Sequence, residues 1–363
     1  MDNKIKLLHV SESLIGGVSS YINELLEFQS VNDQIDLVGV FGPSAELNTI
    51  TTRNVSCYGY IKKGRGFYSS LNFLFKLHRL LSKERPNIVH LHSTIAGFLG
   101  RLLIVIFFYN KIKVVYCAHC WKFDNKSHFL NRYAYALIEK FLLPFADAVI
   151  NISPHEQDLL KHYGFNTANV HLVVNGISRN VNIEARSSNI KSGLRLLFVG
   201  RFDYQKGLDL LLDEMNNFKA KEVSLTIVGK GVVNSISTTI PDGVEIVEWV
   251  NRESLQQWLA DFDCVIMPSR WEGMPMLALE VLRAGGVIAA SNIPPVSYIV
   301  ESGVNGFVFD IEKSGFLVDV IDFLSTADLN NVRLNAKNTF VSKFTSERVN
   351  DQLFAIYKNL LRA

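Results

Sequence analysis

Ser269-Arg270-Trp271-Glu272-Gly273-Met274-Pro275-Met276-Leu277-Ala278-Leu279-Glu280 places two glutamates eight residues apart around a Gly-Met-Pro turn. The apolar run before it, Cys264-Val265-Ile266-Met267, predicts a buried parallel strand. The segment after Pro275, Met276 to Ala284, predicts a helix with proline at its start. Glu272 therefore falls in a strand-to-helix loop, and Glu280 one to two turns into the helix. In an open α/β sheet such loops lie at the carboxyl edge, where ligands bind. Free backbone N–H groups at the helix start suit phosphate. A carboxylate one or two turns along can accept hydrogen bonds from sugar hydroxyls. Taken alone, two glutamates at this spacing read as ordinary surface charge.

A second unit upstream changes that balance. Leu194-Arg195-Leu196-Leu197-Phe198-Val199-Gly200 predicts a strand ending in glycine, and Arg201-Phe202-Asp203-Tyr204-Gln205-Lys206-Gly207 follows before an amphipathic helix from Leu208. Gly200 permits a tight turn. Arg201 offers a planar fork and Lys206 a point charge for phosphate oxygens. Two cations and two glutamates, each pair on its own strand-loop-helix unit, would emerge at one sheet edge.

Alternation of strand and helix runs along the chain. Strands are expected at Ile5–Val10, Ile35–Val40, Ile88–Leu91, Lys113–Cys117, Ala148–Ile152 and Val170–Val173, with helices between them. After a polar stretch the pattern restarts at Leu194, with further strands at Val223–Val228, Val244–Val247, Cys264–Met267 and Val287–Ala290. That order predicts doubly wound parallel sheets. The expected division is a first domain over 1–175, a linker over 176–193, a second domain over 194–343 and a closing helix within 344–363.

Gly200-Arg201-x4-Lys206-Gly207 with Pro268-Ser269-x2-Glu272-Gly273-x6-Glu280 resembles the signature of glycosyltransferase family 4. Gly16-Gly17-Val18, Val89-His90-Leu91-His92-Ser93, Gly100-Arg101, His119 and Glu301-x-Gly303-x2-Asn305-Gly306 fit the same pattern, so the resemblance spans nearly the whole chain. It implies an α/β GT-B fold: two Rossmann-like, doubly wound parallel-sheet domains facing each other across a cleft, with the closing helix crossing back to the first. It implies a retaining transferase moving a hexose-type sugar from a nucleoside diphosphate sugar, UDP-sugar favoured over GDP-sugar, to a saccharide or lipid-linked acceptor. Surface polysaccharide or lipopolysaccharide assembly is the implied setting. Arg201, Lys206, Glu272 and His119 are the implied catalytic residues. Gly16, Gly17, Gly200, Gly273, Met274, Pro275, Met276 and Glu280 are the implied donor contacts, with Glu280 on the ribose and His119 near the transferred sugar. Cys120-Trp121 departs from the small residue common after that histidine. A glycoside hydrolase, a nucleotide-sugar epimerase of the same fold and a non-catalytic sugar-nucleotide module stand as alternatives.

Composition narrows the field. With 363 residues, 48% hydrophobic and 20% charged, the chain can bury two cores. Cys117 and Cys120 form C-x2-C, yet only four cysteines occur and no second pair follows, so reduced thiols are expected rather than zinc or redox chemistry. Asp261-Phe262-Asp263 reads as a structural turn between helix and strand, and no required metal or other cofactor is expected. Gly16-Gly17 opens a helix after the first strand but lacks the G-x-G-x-x-G pattern of dinucleotide enzymes. No leader peptide or spanning run is evident, so a cytoplasmic protein is expected. Up to Ile183 the chain carries 19 Lys and Arg against 13 Asp and Glu, and the rest 18 against 22. The basic excess gathers at Lys62, Lys63, Arg65, Lys76, Arg79, Lys83 and Arg85 around Phe67-Tyr68-x2-Leu71-x-Phe73-Leu74-Phe75. That pattern fits either a peripheral contact with anionic membrane or a core-packed helix. The small total charge and the lack of a binding motif argue against nucleic acid.

Overall fold

Short apolar runs become the strands of two all-parallel sheets. The computed structural model describes residues 4–362 other than 65, 125–127, 181–192, 219–222, 230–239, 248–249 and 251. Arg65 and most of the expected linker lie outside the described residues. The chain divides into two compact units: residues 1–176 with 346–363, and residues 177–345.

The first unit holds β1 (Ile5–Ser11), β2 (Ile35–Pro43), β3 (Cys57–Tyr60), β4 (Ile88–His92), β5 (Lys113–Cys117), β6 (Ala148–Asn151) and β7 (Val170–Leu172), ordered β3-β2-β1-β4-β5-β6-β7. The second holds β8 (Leu194–Val199), β9 (Val223–Val228), β10 (Val244–Val247), β11 (Cys264–Met267), β12 (Ile288–Ser291) and β13 (Phe307–Phe309), ordered β10-β9-β8-β11-β12-β13. Strand order reverses between β1 and β4 in one sheet and between β8 and β11 in the other. Those reversals are the topological switch points beside which ligands bind in doubly wound folds.

Both sheets are covered on their faces, which is why β4 and β11 are buried at every position. In the first unit the helix Thr94–Phe107 is joined to the helix Phe129–Leu142 by a fully buried ion pair, Arg101 Nη2 to Glu139 Oε2 at 2.6 Å. The Tyr116 hydroxyl donates to the other carboxylate oxygen at 3.1 Å, and the guanidinium stacks 4.1 Å from the Tyr116 ring centroid. The closing helix Ser346–Arg362 packs on the helix Gly17–Gln29 and buries Val349, Leu353 and Tyr357. Among the described residues no helix is long and apolar enough to cross a membrane.

Some elements depart from expectation. β3 and β13 are three to four residues long and sit at or near sheet edges, so neither carries a run of alternation that pattern reading can register. The helix Leu329–Lys343 buries only Val332, Ala336 and Phe340, a stripe too thin to stand out in sequence. The Asp261-x-Asp263 turn is structural in its contacts. The Asp263 carboxylate accepts the Arg195 amide at 2.8 Å, and the Asp261 carbonyl accepts the Arg195 guanidinium at 2.5 Å.

Candidate active site

In the second unit, two loops at the switch point are stitched together. The loop after β8 runs from Gly200 to Gly207, and the loop after β11 runs from Pro268 to Pro275. The Arg270 amide donates to the Gln205 carbonyl at 2.8 Å, and Gln205 Nε2 returns a bond to the Trp271 carbonyl at 3.0 Å. Arg270 grips Asp209 with both terminal nitrogens, at 2.7 and 2.6 Å, and lies 3.8 Å from the Tyr204 ring centroid. Gly207 sits at φ 69° where an added Cβ would run into the Pro268 carbonyl, so close approach of the loops requires glycine there.

This lattice brings Lys206 and Glu272 together. Lys206 Nζ stands 2.5 Å from Glu272 Oε1, and the Ser269 hydroxyl donates to the same oxygen at 2.8 Å. Glu272 is buried, and Lys206 keeps part of its side chain in solvent. An ammonium has three protons, so Lys206 can hold the carboxylate and still donate to an arriving phosphate. Arg201 is exposed and turned onto Asp203 Oδ2 at 2.9 Å and Gln205 Oε1 at 3.2 Å. Gly273, Met274, Pro275 and Met276 are buried behind Glu272 at the start of the helix Met276–Ala284, whose first turn has no side-chain cap. A helix start of this kind suits an anion. Glu280 is half-buried in the second turn of that helix.

In the first unit, Gly16 takes φ 66° and Gly17 begins the helix Gly17–Gln29, both exposed. Three non-glycine residues with positive φ gather past the carboxyl ends of β4 and β5: Ser93 (82°), His119 (61°) and Cys120 (145°). Each such conformation costs about 1–3 kcal/mol, and strain of this kind concentrates at functional sites.

Behind His119 lies a row of histidines that the sequence reading placed only partly. His90 and His92 are fully buried on β4, and the register sets His9 of β1 beside His90. His119 Nε2 is 2.9 Å from His92 Nδ1, His92 Nε2 is 2.9 Å from His9 Nδ1, and His9 Nε2 is 2.8 Å from Gln29 Oε1. His90 Nδ1 meets the Tyr357 hydroxyl at 2.7 Å. Burial pushes His9 down to about 4, although Gln29 pulls it up, and pushes His119 down to about 3. His90 and His92 are also lowered well below the ordinary value, by burial first and then by neighbouring histidines. All four are neutral at pH 7. Ring nitrogens of His9, His90 and His92 lie within 4.8 Å of one another. However, the His90 and His92 rings stack at 4.2 Å and 28°, and His9 and His92 spend nitrogens on each other. Stacked rings run their in-plane lone pairs side by side, which does not suit convergence on a metal ion.

Sequence reasoning quoted Ser269 without a role and missed the Arg270–Asp209 clamp, His9 and Gln29. A histidine and a glutamine on distant elements leave no local motif.

A family model described as Glycosyltransferase Family 4 matches residues 15–181, and one described as Glycosyl transferases group 1 matches residues 193–326. An uncharacterized 41.2 kDa protein of the cps region of Klebsiella pneumoniae is 27% identical over 98% of this chain and 100% of its own. The UDP-Gal:alpha-D-GlcNAc-diphosphoundecaprenol alpha-1,3-galactosyltransferase of Escherichia coli is 23% identical over 99% and 98%. Among solved structures, Anabaena HepE in complex with UDP and glucose superposes with a TM-score of 0.80 at 17% identity, covering 98% of this chain and 99% of that one. Sucrose-phosphate synthase of Thermosynechococcus elongatus gives 0.82 at 18% identity, covering 99% and 100%. Two parallel-sheet units with these neighbours define a glycosyltransferase of the GT-B type. Within that class the chain is a glycosyltransferase of the family 4 type, and it is related to enzymes of polysaccharide and O-antigen biosynthesis.

Proposed function

We propose that the protein moves a hexose-type unit from a UDP-sugar to a saccharide or lipid-linked saccharide, with retention at the anomeric carbon, in surface polysaccharide assembly. The observation that carries this reading is the Lys206–Glu272 pair at the switch point of the second sheet. Breaking the bond from the anomeric carbon to the diphosphate builds negative charge on the leaving group. Lys206 and Arg201 meet that charge with the amides at the start of the helix Met276–Ala284. Glu280 accepts from the ribose hydroxyls, and Glu272, held by Lys206 and Ser269, is the acceptor toward the sugar. The roles of Gly16, Gly17 and His119 toward the donor rest on family resemblance. Uridine is favoured because HepE was solved with UDP and the Escherichia coli relative is named for a UDP-Gal donor. The lipid-linked acceptor rests on the same relative's name. With two cations at the diphosphate, no metal is needed in this scheme.

A thermal-shift panel tests the donor. UDP and UDP-sugars are expected to raise the melting temperature in the presence of chelator, and Glu280→Ala to abolish the shift. Stabilisation by GDP or ADP compounds alone would replace the base. No shift with any nucleotide on folded protein would remove the donor site.

The same reading places the protein in the cytoplasm, peripheral on the inner face of the membrane. On the helix Phe67–Glu84, Phe73, Leu77 and Leu81 face the core, while Phe67 (80% exposed), Tyr68, Leu71 and Phe75 (59% exposed) face outward. Lys63 lies over the Tyr68 ring and Arg79 over Phe75, so cations fringe the apolar groups. Phe129, Leu130, Tyr133, Leu137 and Phe141 of the helix Phe129–Leu142 are exposed in the same unit. Sedimentation with vesicles containing anionic lipid is expected to carry the protein down, less so at high salt, and Phe67→Ser/Phe75→Ser to leave it in solution. Equal sedimentation of that variant would refute the contact.

A further inference from the structure

The polarity of the histidine row can be read from its far end. Asn350, on the closing helix, aims its amide nitrogen at the backbone carbonyls of Ser346 (2.9 Å) and Glu24 (3.4 Å). Carbonyls only accept, so that atom is the NH2 group, and Asn350 Oδ1 is left as the acceptor for Gln29 Nε2 at 3.4 Å. Gln29 therefore turns Oε1 toward His9 Nε2, which must carry a proton to bond an oxygen. A neutral imidazole has one such proton, so His9 Nδ1 is bare and accepts from His92 Nε2–H. His92 Nδ1 is then bare in turn and accepts from His119 Nε2–H. His119 ends with its lone pair on Nδ1.

We propose that Gln29 and Asn350 are positioning residues that set the tautomer of His119 through His9 and His92, so that His119 Nδ1 serves as the acceptor for a hydroxyl of the bound sugar. The ligand class in this statement rests on the reading of His119 as a residue of the donor site. The relay itself rests on hydrogen-bond directions within the first unit. A cluster serving only to fill the core gains nothing from a fixed direction, since apolar side chains of similar volume fill such space at least as well. Burial supports the chain by keeping its members neutral, the state in which each ring both donates and accepts.

Long-range proton–nitrogen NMR of the full-length protein labelled with 15N-histidine reads each tautomer directly, with individual rings assigned by single substitutions. The wild-type protein is expected to show His9, His92 and His119 all protonated on Nε2. Gln29→Met removes the oxygen that orients the chain and should bring in the Nδ1–H form of His119. It should also lower kcat/KM for the donor about tenfold, the size of one misdirected hydrogen bond. Gln29→Glu keeps an acceptor oxygen and should retain the wild-type tautomer. A wild-type His119 protonated on Nδ1 would overturn the relay without any variant having to fold. So would a tautomer unmoved by Gln29→Met, or stoichiometric zinc uptake that breaks the His9–His92 bond. The NMR needs no nucleotide sugar, so the relay and the donor-site reading stand or fall separately.

Discussion

Lys206→Ala is expected to lower kcat about 100- to 1,000-fold, the usual consequence of removing one preorganised donor from a developing anion. It is also expected to cost stability. Read from sequence, Lys206 is a point charge for phosphate, but the structure also ties it to the buried Glu272 at 2.5 Å. Removing the ammonium leaves that carboxylate with the Ser269 hydroxyl as the partner seen here. Breaking a buried ion pair from one side costs about 3–5 kcal/mol, and the remaining Ser269 bond puts the expected loss at the lower end. The two effects separate in a double variant. Lys206→Ala/Glu272→Gln removes the stranded charge, so urea denaturation should show most of the lost stability restored while turnover stays low. Recovery of activity together with stability would mean that Lys206 acts only as a brace for the loop. Wild-type turnover in Lys206→Ala would remove it from the reaction altogether.

What was legible in this sequence follows from where each signal resides. β11 and its loop could be read because strand, Gly-Met-Pro turn and helix are contiguous, each with its own local chemistry. The same holds for β8, Gly200 and Lys206. His119 could be placed past a strand for the same reason. The Lys206–Glu272 bond joins residues 66 apart and depends on Gly207 letting one loop lie against Pro268, a contact with no sequence signature. The histidine row is less legible still. His9, Gln29, His92 and Asn350 come from four elements and His119 from a loop, and their directions depend on the closing helix lying against Gly17–Gln29. Short edge strands divided: β7 and β10 could be read from their apolar runs, whereas β3, interrupted by Gly59, and β13 were missed. Strand existence is a local property, whereas polar networks are properties of packing.

Acid should unfold the first unit well before ordinary carboxylate titration would. His9, His90, His92 and His119 all have folded-state pKa values below the usual 6.5. Below pH 6.5 the unfolded chain takes up protons that the folded rings refuse. Their contribution to stability is therefore present at neutral pH and lost as pH falls from about 6.5 toward 4 and below. For His9, lowered to about 4, the loss comes to about 3 kcal/mol. Two groups oppose this. Burial raises Glu156 to about 8, so folding binds a proton there, and stability from that source grows as pH falls from 8 to about 4.5. Asp124 raises His155, which likewise favours the folded state on acidification. Near pH 5.5 the four lowered histidines put the unfolded chain about 3.6 protons ahead and Glu156 returns about one, whereas His155 is already mostly protonated in the unfolded chain and returns little. The net of about 2.6 protons gives a slope of about 3.5 kcal/mol per pH unit, and half-buried His171, lowered by burial, adds in the same sense. A unit of ordinary stability, about 5–15 kcal/mol, exhausts that within a few pH units. Stability should thus peak near pH 7 and fall steeply toward pH 5. Urea midpoints at pH 8, 7, 6 and 5, with pulse-labelling hydrogen exchange in β1 and β4 to follow the first unit, would measure the slope. A flat profile between pH 7 and 5 would mean that the histidines take up protons in the folded state, and a row of charged rings cannot hold the one-way hydrogen bonds that link Asn350 to His119.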